Sequence, residues 1–311
     1  MDITRLFAAC AAFFSLTFPF AAPLSAWNAT GHRIIAAIAY ARLTPEARAK
    51  VDDIIRHHPD YATLFTKDGP ADPAMRARAA FLYAATWPDV IRGDPRFYDE
   101  TRRDAMPPPL LPGFPDMGRH GTWHYYDIPY APDGVKPPAQ LPPHALSELR
   151  RRISEIATAS SEQQAYDLPW LVHIEEDVHQ PLHATSRFLK SQPKGDAGGN
   201  FVYIFPSTNL HAVWDNSPGI NISDTYVSDY AASVTAEFPA PKRPSLDPKR
   251  WLNESFKLVK SDVYTFGLET GSKEHPLMLP ASYEDRARRI ARQRIALAGY
   301  RLAALLNMKL R

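Results

Sequence analysis

Two histidine–aspartate pairs, His173 with Asp177 and His211 with Asp215, stand four residues apart in this sequence of 311 residues. On a helix that spacing puts both side chains of a pair on one face. Imidazole and carboxylate are ligand types that zinc accepts. Between the pairs, the run His179-Gln180-Pro181-Leu182-His183 supplies a further imidazole, and Pro181 ends a helix so that His183 can turn back toward the same place. One such pair alone often makes only a surface hydrogen bond. Two pairs and His183 between positions 173 and 215 point to a metal site. Trp87-Pro88-Asp89 and Trp123-His124-Tyr125-Tyr126-Asp127 add another carboxylate and imidazole, which on their own read as core packing around a satisfied polar group.

The elements that must position these residues read as mainly α. Gly31–Tyr40 is expected to be a buried helix, and Thr44 with Pro45 starts a second one through Ile55, Thr44 as N-cap and Pro45 at the first helical position. Further helices are expected over Met75–Val90, His144–Ser160, Pro169–Val178, Leu258–Leu268 and Tyr283–Leu310. The last carries an apolar stripe of Ile290, Ile295, Leu302, Leu305 and Leu306. Phe201–Phe205 alternates as a short strand, and the proline-rich stretches Met106–Pro115 and Pro129–Pro143 read as long surface connections. With 45% hydrophobic and 23% charged residues, a single large domain is the simplest organisation.

Residues 3 to 22 are almost free of charge, and Leu6–Phe20 has the character of a secretory h-region after Arg5. Pro19, Pro23 and the ending Leu24-Ser25-Ala26 favour cleavage after Ala26 over a membrane anchor. The expected organisation is therefore a signal peptide over 1–26 and one domain over 27–311, exported to a periplasmic or extracellular space without stable membrane association. Cys10 is the only cysteine, so the processed chain has neither a disulfide nor a thiolate ligand. A formal net charge of +2 gives no basic face for a polyanion, which must be attracted locally. No obligate protein partner is evident.

The order Trp27, His32, Asp89, His124, His173-x-x-x-Asp177, His183 and His211-x-x-x-Asp215 resembles the secreted zinc nucleases of fungi and plants, the S1/P1 nuclease family, and their bacterial relatives. The likeness extends through Gly198-Gly199-Asn200, Trp214-Asp215-Asn216 and the closing Tyr300–Asn307. It implies a multi-helix fold of the phospholipase C/nuclease type. It also implies three zinc ions. Asp89, His124, His173 and Asp177 would hold one; His183, His211 and Asp215 a second; the freed amine and carbonyl of Trp27 with His32 a third, bridged by Asp177. The family chemistry is hydrolysis by a metal-activated water, with Asp89 orienting it and Arg92 sharing the developing phosphate charge. Tyr125 would stack on a base and Asp127 hydrogen-bond its edge, which favours single-stranded DNA and RNA and nucleotides over duplex. The implied products are 5′-phosphorylated, with 3′-nucleotidase activity alongside.

His57, His58, His120, His144 and His275 are expected at the surface or in loops, and His179 either points away from the metal or supports a ligand. Two alternatives stay open. One is a zinc-dependent phospholipase C, opposed by the short gap from Trp27 to His32 and by an aspartate at position 215. The other is a non-catalytic zinc-binding protein, which leaves Arg92, Tyr125 and Asp127 without a role.

Overall fold

Helix α1 (Ala29–Tyr40) is buried along almost its whole length, as its run of small and aliphatic residues requires. Asn28 caps it by accepting from the backbone N–H of Thr30 and Gly31, and its Nδ2 reaches the Gly219 carbonyl at 2.7 Å. This computed structural model describes residues 27–311, so the expected leader and Cys10 lie outside the described residues. Helix α2 (Pro45–Arg56) starts as expected, with Thr44 Oγ1 accepting from Ala47 N.

The helix expected over Met75–Val90 is two helices, α3 (Pro73–Ala84) and α4 (Trp87–Val90). Pro88 has no N–H to continue the first, and Asp89 N turns to the Thr86 carbonyl at 3.2 Å. That break leaves the Ala85 carbonyl free to receive His173 Nδ1 at 2.7 Å. A candidate ligand histidine is thus oriented by a helix interruption.

After α5 (Ala145–Glu155), helix α6 (Ser161–Asp177) begins well before the expected Pro169, which lies inside it. Ser160 caps α6 through Gln163 N, and every residue from Gln164 to Asp177 is buried. Packing on all sides outweighs the one backbone bond that Pro169 removes. The second proline-rich stretch is not wholly irregular: β1 (Ile128–Tyr130) pairs in parallel with β2 (Thr185–Arg187), with Pro129 opposite Ser186.

The strand expected over Phe201–Phe205 is confined to β3 (Tyr203–Ile204), antiparallel to β4 (Thr208–Asn209). Then come α7 (Leu210–Asp215), α8 (Asp224–Glu237), α9 (Pro248–Leu258) and α10 (Ala281–Lys309). Helix α8 has no counterpart in the sequence reading. The helix expected over Leu258–Leu268 is only a π-helical turn, Val259–Val263, because α9 already ends at Leu258.

The architecture is a mainly α single domain with a few short strands. Its larger apolar cluster joins α1, α2, α3, α6 and α10 through residues such as Ile35, Ile54, Phe81, Trp170 and Leu305. A smaller one, with Val202, Ile204, Trp214 and Tyr283, lies beneath the β3–β4 hairpin. Among the described residues no helix is long and apolar enough to cross a membrane.

Candidate metal centre

Four helical segments bring their chemistry-bearing ends together: the first turn of α1 with His32, α4 with Asp89, the last turn of α6 with His173 and Asp177, and α7 with His211 and Asp215. Two 3-10 turns, Gly121–His124 and Pro181–Ala184, add His124 and His183. The parallel β1–β2 pairing binds the stretch after His124 to the stretch after His183, and Tyr126 N donates to the His183 carbonyl at 3.0 Å.

Three sets of ligand atoms result, each within 4.8 Å of one another: His32, Asp89 and His173; His124, His173 and Asp177; His183, His211 and Asp215. The first two share His173, and His32 Nε2 lies 3.4 Å from Asp177, so they form one continuous cluster. Trp27 is fully buried, and Asn28 N beside it donates to the Asp215 carbonyl at 3.3 Å.

Hydrogen bonding fixes which nitrogen each ring offers. His183 Nδ1 donates to the His124 carbonyl and His211 Nδ1 to the Gly198 carbonyl, both at 2.7 Å. Their Nε2 atoms then carry lone pairs, yet they face each other at 3.0 Å with Asp215 Oδ2 3.3 Å from His211. Two lone pairs and a carboxylate converging in a buried place repel unless a cation lies among them, which is the donor set a divalent metal needs. Gly198 itself has φ +61°, and a Cβ there would meet the Leu182 carbonyl at 2.6 Å. His173 is ordered the same way, with Nδ1 on Ala85 O and Nε2 2.9 Å from His124 Nδ1.

The electrostatics agree for three of the rings, while at His173, against the effect of its burial, Asp177 and Asp89 raise the pKa. Burial pushes His32, His124 and His183 well below the usual imidazole pKa, so these rings are neutral. Burial raises Asp177 to about 7, against the pull of His173, and drives Asp215 well above the carboxylate range. Without a cation these carboxylates are costly to ionise; with one they are ligands.

Two supporting residues escaped the sequence reading. Glu176 is fully buried, and its Oε2 accepts from His32 Nδ1 at 2.5 Å, turning Nε2 toward Asp89 and Asp177. Gln180 Nε2 donates to Asp215 Oδ1 at 2.7 Å. A buried acid beside Asp177 and an amide inside the His-Gln-Pro run were the available signals.

A pocket of about 350 Å³ opens beside His124, His183 and His211, lined also by Arg92, Tyr125, Asp127 and Asn200. Arg92 Nη1 is 3.4 Å from Asp89 Oδ1. Burial, with the charge of Asp196 adding, raises Asp127 to about 7.

Of the histidines expected at the surface or in loops, His58 and His144 are buried and His120 is half-buried, although all three lie outside regular helices. His58 is 2% exposed, stacks on Phe65 at 4.6 Å, and is pushed down to about 3 by burial. His144 caps α5, and His120 stacks on Trp123 at 3.5 Å while pairing with Asp116 at 2.7 Å. Only His57 and His275 are exposed. His179 points away from the cluster, donating from Nδ1 to the Glu175 carbonyl and receiving Arg301 Nη1 at Nε2.

The sequence model of the S1/P1 Nuclease family matches residues 27–311. The chain belongs to the S1/P1 nuclease family. Within it, nuclease S1 of Aspergillus oryzae (strain ATCC 42149 / RIB 40) is 29% identical over 163 residues, 45% of this chain and 53% of that protein. Endonuclease 2 of Arabidopsis thaliana is 30% identical over 184 residues, 52% of this chain and 59% of that protein. The chain therefore spans little more than half the length of these relatives.

Proposed function

We infer that this S1/P1-family chain is an exported, zinc-dependent phosphodiesterase that cuts single-stranded DNA and RNA to 5′-phosphorylated products and also removes 3′-phosphates from nucleotides. The observation that carries the reading is the buried convergence of unprotonated imidazole nitrogens and carboxylates beside the pocket of Tyr125 and Asp127. The two relatives are named a nuclease and an endonuclease, which supports the phosphodiester-cleaving part of this reading.

Asp89, His124, His173 and Asp177 would hold one zinc, His183, His211 and Asp215 another, and His32 with the processed Trp27 terminus a third, Asp177 serving two. Bound there, zinc would acidify water and offset negative charge at phosphorus. The chain's own groups supply the rest. Asp89 borders the cluster at 13% exposure, where its carboxylate can accept from and aim an attacking water. Arg92, held against Asp89 and lining the pocket, meets the phosphate oxygens as charge builds. The Tyr125 ring stacks on a base and Asp127 pairs with its edge, which only an unpaired base presents.

The deciding experiment offers the zinc-loaded protein single-stranded oligonucleotides, duplex of the same sequence, and phosphatidylcholine. Cleavage of single strands well ahead of duplex, leaving 5′-phosphate, is expected. Turnover of lipid alone would establish a phospholipase, and three bound zincs without turnover of any ester would establish a binding protein.

A further inference from the structure

A row of aromatic rings lies on the surface immediately beyond the pocket and takes no part in the chemistry above. From Phe201 to Phe205 the side chains alternate strictly: Val202 and Ile204 are buried in the smaller core, while Phe201 and Phe205 are 52% and 57% exposed and Tyr203 lies half-buried between them. Tyr203 and Ile204 alone of this segment are strand, with Phe201 in the turn that leads into it and Phe205 in the turn that leaves it. Exposed Phe201 and Phe205 thus flank half-buried Tyr203, three rings that follow in line along the chain at the outer side of the hairpin.

The backbone holds that line in place. Tyr203 and Ile204 pair with β4 on one side. On the other, Leu277 N donates to the Tyr203 carbonyl at 2.9 Å and Phe205 N to the Leu277 carbonyl at 2.9 Å. Phe201 and Phe205 leave more than half of their surface in water at the outer side of the hairpin, where a flat partner can cover them by stacking. Lys273 places its ammonium 5.6 Å from the Tyr203 ring centre, so a cation stands in the row. One end of the row adjoins the pocket along the chain: Asn200, which lines it, precedes Phe201 directly, and Phe201 N is tied to the Asp196 carbonyl at 3.1 Å, one residue before the pocket-lining Ala197.

We propose that Phe201, Tyr203 and Phe205, with Lys273, form a stacking track that holds the nucleotides of a single strand next to the one bound in the pocket. A strand stretched over this row sets unpaired bases against the rings, while its phosphates pass the Lys273 ammonium. Stacking on aromatic rings is indifferent to base identity, so the track adds affinity for length rather than for sequence. A duplex, its bases already stacked, gains nothing from it. The inference rests on the nuclease reading but concerns substrate length alone.

The test compares 3′-dTMP, which fills the pocket alone, with dT20 as substrates of the zinc-loaded protein, and also measures binding of a hydrolysis-resistant phosphorothioate dT20. The variants are Phe201→Ala/Phe205→Ala and the conservative Phe201→Trp. Loss of one base–ring stack weakens binding by roughly fivefold or more. The double alanine variant is therefore expected to raise KM and Kd for the 20-mer at least about tenfold, while kcat and KM for 3′-dTMP move less than about twofold. Phe201→Trp should bind dT20 at least as well as the parent chain. Unchanged dT20 affinity in the double variant overturns the track. So does an equal loss for 3′-dTMP and dT20, which would make the rings part of the pocket, or a parent dimer that the variant dissolves, which would make them a self-interface. A parent protein that turns over neither substrate overturns the nuclease reading instead, and phosphorothioate binding still reports on the track.

Discussion

The orientation of His32 depends on a residue that offers no ligand itself. With Nδ1 held by Glu176 at 2.5 Å, the ring has one free nitrogen, and that nitrogen faces Asp89 and Asp177. A carboxylate behind a ligating histidine fixes the tautomer and strengthens the ring as a donor, and its loss commonly costs ten- to a hundredfold in metal affinity. Glu176→Gln keeps an acceptor of the same shape without its charge. It is expected to weaken zinc at the His32 site by about tenfold and leave the His183, His211 and Asp215 site unchanged, read by competition with a chromophoric chelator. Glu176→Leu, which strips the acceptor, should weaken it further. Equal affinities in all three proteins would reduce Glu176 to a buried packing residue. The sequence displayed the ligand types plainly, because one-turn spacing is visible in His173–Asp177 and His211–Asp215. It hid Glu176, because an acid beside an acid normally reads as a solvated helix face. What betrays it is that Val172, Ile174 and Val178 around it are buried too, so α6 has no wet side.

At the scale of elements, the long buried contact is that of α1 with α10. Gly299 of α10 sits so close to α1 that an added Cβ would meet Ile38 Cγ2 at 2.5 Å and Ile38 Cβ at 2.6 Å, with the Ile35 carbonyl at 3.2 Å. Ile38 is β-branched and 1% exposed, so it cannot rotate aside. Alanine would gain about 1 kcal/mol of helix propensity, and overpacking costs about 1–3 kcal/mol. The steric term wins at this approach. Gly299→Ala is expected to destabilise the protein by up to about 2 kcal/mol in urea unfolding and, by pushing α1 outward, to loosen the cluster that His32 joins. A stabilised variant would mean that the helices separate at no cost. The elements that the sequence disclosed are those with caps and stripes, such as α2 behind Thr44 and α10 with its apolar row. Helix α8 stayed hidden because only Val227, Ala231 and Val234 are buried along it, too thin a stripe to stand out. Helix α6 was misplaced at its start because proline at 169 reads as a helix beginning, and only burial on every side makes it tolerable inside one.

For the molecule as a whole, the candidate centre is expected to tie stability to metal. Asp177, Glu176 and Asp215 are buried carboxylates whose pKa values burial raises, and α1, α4, α6 and α7 converge on them. Folding without cations must either protonate these groups or bury their charge; cations bound only by the folded state remove that cost and add binding free energy. Each ion present at a thousandfold excess over its Kd contributes about 4 kcal/mol, and in a domain of this size 1 kcal/mol moves Tm by about 2–4 °C. Chelation should therefore lower Tm by on the order of 10 °C per tightly held ion, with recovery when zinc is returned. The proposed terminus at Trp27 gives the sharper form of the experiment. A chain beginning at Trp27 is expected to bind three zinc ions, and one that retains Ala26 to bind two, with a smaller fall in Tm on chelation and reduced cleavage of single strands. The difference arises because a peptide nitrogen, unlike a terminal amine, has no lone pair to give. If both chains bind equal zinc and melt alike, Trp27 serves only as the buried ring packed against α1, and the third site belongs to His32 and its carboxylates alone.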